Sequence, residues 1–142
     1  MARDNPFVGT WTYRSLLNDP DGSKAFNDLQ FGEGTLKITA VSLDTLGGTI
    51  GGPGWSLDLH GSFGFGSPMQ VRFQGRGLNS GEEWIYDYIG WLVPVWPNSN
   101  AQLERAAIVG SIVRTVPHSG DGGKGPVHPA GVVASWYAVR VN

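Results

Sequence analysis

Apolar and polar residues alternate with period two along most of the chain, the pattern of strands with one dry and one wet face. Across residues 7–15, Phe7, Gly9, Trp11 and Tyr13 share one phase against Thr10, Thr12 and Arg14. Residues 34–41 set Leu36, Ile38 and Ala40 against Thr35, Lys37 and Thr39, and 46–50 make a short third strand. Trp55, Leu57, Leu59 and Phe63 alternate with Ser56, Asp58, His60 and Ser62; Met69, Val71 and Phe73 alternate with Gln70, Arg72 and Gln74. Residues 83–95 break the rule, because Trp84 to Val93 is apolar on both phases, with Asp87 as its single charge. A strand of that kind is covered on both sides. Two more β-branched strands occupy 106–116 and 131–141. Turn chemistry at 18–23, 51–54 and 79–81 separates the strands. Residues 96–100 and the Gly/Pro-rich stretch 117–130 read as loops, and the best helical candidate, 100–107, is barely two turns long.

About eight strands in a single domain, 1–142, with a tail at 1–6, close either as a sandwich or as a barrel. Short consecutive hairpins pair sequential strands in order, and full closure removes edges that would otherwise aggregate. The expectation is an all-β fold, an eight-stranded antiparallel up-and-down β-barrel. Composition agrees. Of the 142 residues 22 are glycine, about twice the usual share, as strands that bend sharply around bulky interior residues require. Charged residues make up 15 % against a typical ~25 %, in keeping with strands covered on both faces.

Other features narrow the function classes. The chain has no cysteine, which excludes disulfide staples and thiolate zinc sites. Ten Lys and Arg are scattered from Arg3 to Arg140 at a net charge of −2, so no basic footprint for nucleic acid forms. No apolar run approaches ~18 residues, and residues 1–6 lack the apolar stretch of a signal peptide. The expectation is a cytoplasmic protein without nucleic-acid or membrane partners.

The first strand carries a resemblance. Phe7-Val8-Gly9-Thr10-Trp11, opening an eight-stranded barrel, resembles the Gly-x-Trp motif of the calycin superfamily, which includes lipocalins, fatty-acid-binding proteins and avidins. The resemblance implies that Trp11 plugs one barrel end beside Gly9, with Arg140 from the last strand over its ring in a cation–π pair. In length and tryptophan content the chain is more similar to avidins. In avidins the motif continues with an Asn and a Ser that hold the ureido group of biotin; Tyr13 and Leu17 stand at those places here. The implied kinship is therefore avidin-like or lipocalin-like in fold, without the biotin-site residues. Residues 113–120 also look like a stretch found in bacterial proteins of unassigned role.

Candidate chemistry is sparse. His60 falls on a wet phase, while His118 and His128 lie in the 117–130 loop without the convergent spacing of a metal site. No metal or cofactor is expected, and no strand puts a histidine on its dry phase as haem ligation would need. The loop itself is the candidate lid over the barrel mouth. Asp87, alone in an apolar strand, is either an acid–base group or ligand anchor inside the barrel, or a carboxylate held in an ion pair by Arg72 or Arg114 or turned outward at an interface. The aromatic residues speak more strongly. A barrel of eight strands is wide enough to hold one small ligand, and the dry phases offer Tyr13, Trp55, Phe73, Tyr88 and Trp136, with tyrosine hydroxyls to orient it. The expected function is binding of a small apolar or aromatic molecule; the alternatives are an isomerase or cyclase using an acid–base residue in the cavity, or a filled barrel serving as an oligomeric structural protein. With no helices to cover them, the doubly apolar strands at 84–95, 106–116 and 131–141 predict a homodimer or homotetramer packed barrel to barrel.

Overall fold

The computed structural model describes residues 5–95, 104–119 and 124–141. It is all-β: eight antiparallel strands in sequential order form one closed barrel. They are β1 (Gly9–Leu16), β2 (Gln30–Ala40), β3 (Thr45–Gly52), β4 (Trp55–Gly64), β5 (Gln70–Asn79), β6 (Glu82–Val93), β7 (Ala107–Arg114) and β8 (Val133–Val139). The expected strands are all present. β2 begins four positions earlier than the alternation suggests, because Gln30 and Gly32 pair with Leu16 and Ser15. A short 3-10 turn at Phe26–Leu29 leads into it. The loop at 96–100 lies outside the described residues, as does the first half of the helical candidate at 100–107; its described half, 104–107, is not helical, and Ala107 begins β7. Among the described residues no helix is long and apolar enough to cross a membrane.

Closure depends on the seam between β1 and β8. Arg14, Ser15 and Leu16 pair with Tyr137, Trp136 and Ser135, and further along Trp11 bridges Arg140. Between these stretches the Thr12 hydroxyl accepts the Val139 N–H at 3.1 Å, standing in for a ladder bond.

The interior is divided along its axis. At one end Trp11 and Phe7 are fully buried, and the Trp11 indole N–H donates to the Phe7 carbonyl at 2.9 Å. The Arg140 guanidinium lies 4.6 Å above the Trp11 ring and donates to the carbonyls of Val8 and Pro6. Gly9 makes this possible: at φ +145° it adopts a conformation that side chains avoid, and a Cβ there would fall 2.4 Å from an Arg140 nitrogen. The Gly-x-Trp spacing thus has a local physical cause: glycine opens the space through which arginine reaches the indole. Midway along the axis Trp136 crosses the barrel above Gly110, its register partner on β7, and Gly90, the partner of Gly110 on β6. A Cβ on Gly90 would lie 2.7 Å from the Trp136 ring. Phe73 and Tyr88 pack beside it, with ring centres 4.9 Å apart. These rings close the barrel from below.

Candidate functional site

Above that floor the barrel is open. A cavity of about 530 Å³ runs from the floor to the mouth opposite the Trp11 plug, within the ~300–1,000 Å³ range of small-molecule sites. Its lower wall carries Tyr13, Tyr88 and Trp55, with Ile112 beside them. The three aromatic rings come from inward phases of β1, β6 and β4, as the alternation requires. Tyr13 touches both Trp55 and Tyr88 edge-on, at 6.4 and 6.2 Å between ring centres. Burial pushes both phenols well above their ordinary range, so each stays a neutral hydroxyl near neutral pH. Ser15, one inward position beyond Tyr13, is fully buried on the same wall, where its hydroxyl is a hydrogen-bonding neighbour of the Tyr13 phenol.

The mouth holds the polar chemistry. Tyr86 and Arg114 face each other across β6 and β7, and Arg114 Nε donates to the Tyr86 oxygen at 3.1 Å. The Tyr86 hydroxyl lies 2.5 Å from His118 Nε2, while His118 Nδ1 lies 2.9 Å from the Ser119 carbonyl. A carbonyl only accepts, so Nδ1 carries the proton, Nε2 accepts, and Tyr86 donates to it. His118 also stacks on Trp84, ring centres 4.1 Å apart and 17° from parallel. Burial holds the His118 pKa below the usual histidine range; Arg114 and His128 act in the same direction, and the Ser119 carbonyl and Glu82 oppose them. Glu82 fixes the segment by accepting from both the backbone N–H and the hydroxyl of Ser119. His118 and His128 exchange two backbone hydrogen bonds, at 3.2 and 2.7 Å, and zip the described ends of the loop together beside the opening. Arg114 also donates to the Pro129 carbonyl, so side chains of the wall tie down the loop at His118, Ser119 and Pro129.

Some of the expected site residues stand together on the cavity wall: Tyr13, Trp55 and Tyr88. Phe73 and Trp136 lie beneath it. The Trp136 N–H is spent on the Ile89 and Ser111 carbonyls, which leaves that residue no polar handle for a ligand. Asp87 requires a correction. It lies exposed on the outer face of β6, where Gln74 donates to it at 3.0 Å. Strand alternation explains this, since Tyr86 and Tyr88 take the inward phase and Asp87 the outward one. Arg114, considered as its partner, points to the other side of the wall. Gly9, Trp11 and Arg140 meet at the plugged end as described above. His60 is exposed, as its phase predicts.

The residues missed by the pattern are Tyr86, Arg114 and His118. The first two were readable, because Tyr86 shares the phase of Tyr88, and Arg114 continues the inward series Ile108, Gly110, Ile112. His118 carries no local signal; a histidine in a Gly/Pro-rich stretch is usually solvated, and here only the fold brings it against Trp84. Among the described residues no group of three or more His, Asp or Glu side chains is placed to hold a metal ion. Compared with models of protein families, with curated proteins and with solved structures, the chain matches none.

Proposed function

We propose that this barrel binds one small, mainly apolar or aromatic molecule. The observation that carries the reading is the cavity of about 530 Å³, walled by aromatic rings and open at one end. Apolar surface of this kind gains free energy by leaving water, at roughly 25 cal/mol per Å², and the neutral hydroxyls of Tyr13 and Tyr88 can orient what enters. The open cavity argues for a ligand over a filled, purely structural barrel. The plug of Trp11 and Arg140 supports kinship with calycin-like barrels, and Tyr13 and Leu17 at the expected ureido-anchoring places argue against biotin. Native mass spectrometry of gently purified protein, followed by titration with 1-naphthalenemethanol under intrinsic tryptophan fluorescence, tests the reading. One naphthyl molecule per barrel is the expected result; an absence of both a co-purifying mass and quenching would sink it.

A second reading, an isomerase or cyclase, is favoured by the Tyr86–His118 bond. Neutral His118 can take the Tyr86 proton while the phenol oxygen takes one from a bound molecule, a two-step relay at the mouth in the role first considered for Asp87. Deuterium exchange from heavy water into 2-tetralone, followed by proton NMR, should be faster with the protein than with its Tyr86→Phe variant. Equal rates would dismiss this reading.

The outer faces of β6, β7 and β8 support self-association. Trp91, Val109 and Tyr137 form one row across the three strands, and Val93, Ala107 and Val139 the next. Val93, Val109 and Val133 are each more than two-fifths exposed. A homodimer or homotetramer packed on this face is part of the proposal.

A further inference from the structure

We infer that the cavity takes an anion: a carboxylate borne on an apolar, ring-containing body, with its charge set on Arg114. The inference rests on the cavity being a ligand site, and it specifies the ligand's head group. Arg114 is a permanently charged side chain left only 7 % exposed. It forms no ion pair with any described carboxylate. Burying a cation without a counter-charge is costly, and proteins ordinarily pair such a group or reserve it for a ligand. Its neighbours are instead the faces of Phe31 and Tyr86, at 4.8 and 5.7 Å. Two hydrogen bonds, to the Tyr86 oxygen and the Pro129 carbonyl, account for two of its five N–H donors. The side chain is thereby held in place on the cavity wall with N–H groups to spare.

Another unspent polar atom on that wall points the same way. The Trp84 indole nitrogen is buried and has no partner, and Trp84 lines the cavity. An indole N–H only donates, and a guanidinium only donates. The unmet capacity of the site is therefore mainly donor capacity around a positive charge, which an oxyanion satisfies and a neutral hydrocarbon does not. His118, held neutral, adds no second positive charge to the cavity wall. A planar carboxylate also matches the guanidinium edge in geometry.

The test compares 1-naphthaleneacetic acid with 1-naphthaleneacetamide, which share body and shape and differ in charge. Titration calorimetry at pH 7.5 should show the acid binding about 10- to 100-fold more tightly, the range of a charge-assisted hydrogen bond. That preference should shrink with added salt, disappear in Arg114→Gln and survive in part in Arg114→Lys. If Arg114→Gln fails to fold, the two ligands on the unaltered protein and on Arg114→Lys still decide. Equal affinities for acid and amide, or a preference unchanged in Arg114→Gln, would overturn the anion and leave apolar binding standing. Failure of both naphthyl compounds to bind would remove the anion and the ligand-binding reading together.

Discussion

The Tyr86 hydroxyl donates to His118 Nε2 across 2.5 Å, one of the bonds that join the barrel wall to the segment beside its mouth. The same oxygen accepts from Arg114 Nε, so a single phenol satisfies a buried donor and a buried acceptor. Tyr86→Phe removes both partners at once and should cost about 1–3 kcal/mol. Urea unfolding monitored by tryptophan fluorescence reads the loss. A cost near zero would mean that His118 and Arg114 find other partners and that the mouth is not organised by Tyr86.

His118 should also make stability fall on the acid side. Its folded pKa is lowered, chiefly by burial, whereas in the unfolded chain it titrates near ~6.5. Below that value the unfolded chain binds a proton that the folded one resists, so stability declines as pH drops and no further once the folded pKa is passed. Protonation would place a second cation on the Tyr86 phenol that already accepts from Arg114, with His128 nearby and Glu82 as the opposing charge. Melting temperatures between pH 7.5 and 5 should fall more steeply for the native protein than for His118→Gln. Parallel curves would assign the acid sensitivity to other groups.

At the plugged end, Arg140→Met should lose the cation–π contact with Trp11, worth ~0.5–2 kcal/mol, together with the hydrogen bonds to Val8 and Pro6. Gly9→Ala should act on the same unit, because its Cβ would displace the guanidinium and its backbone conformation is strained for alanine. In a double-mutant cycle the two substitutions should be strongly non-additive. Independent costs that simply sum would show that Gly9 serves the turn and not the arginine.

The barrel was legible because alternation is a one-dimensional record of which side chains face inward. Trp55, Leu57 and Leu59 announce their strand without reference to any other part of the chain. Order and closure followed from short connections and from the need to cover edges. The cavity floor was less legible, since Phe73 and Trp136 share inward phases with Tyr13 and Tyr88, and only depth along the axis separates packing from lining. Asp87 misled because a lone charge in an apolar strand draws attention to burial, while period two places it outside. His118 could not be read at all, for its environment is made by Trp84 and Tyr86, which are distant in sequence and adjacent only in the folded barrel.

Asp87→Asn offers a direct check on that reversal. An exposed carboxylate whose contact is Gln74 contributes little, so stability should stay within about 0.5 kcal/mol of the original and binding of 1-naphthalenemethanol should not change. Trp84→Ala, by contrast, removes cavity wall and the stacking surface of His118, and naphthyl affinity should fall about tenfold or more, in line with the loss of an aromatic contact. Reversed outcomes, with Asp87 needed and Trp84 dispensable, would place the ligand elsewhere on the molecule.

The outward row Trp91, Val109 and Tyr137 sets the last expectation. These residues are neighbours on consecutive strands, and Trp91 and Val109 are 36 % and 43 % exposed. A second copy laid across β6–β8 would bury them, and a two-fold axis would bring each row against its own image. Light scattering during size-exclusion chromatography should therefore give two or four times the 15.2 kDa chain mass. Placing Glu at both Trp91 and Val109 puts charges at the centre of the contact, where two copies would repel. That variant should elute as a monomer with an unchanged circular dichroism spectrum. A native protein that runs as a monomer throughout a dilution series would instead leave these side chains as ordinary exposed apolar surface.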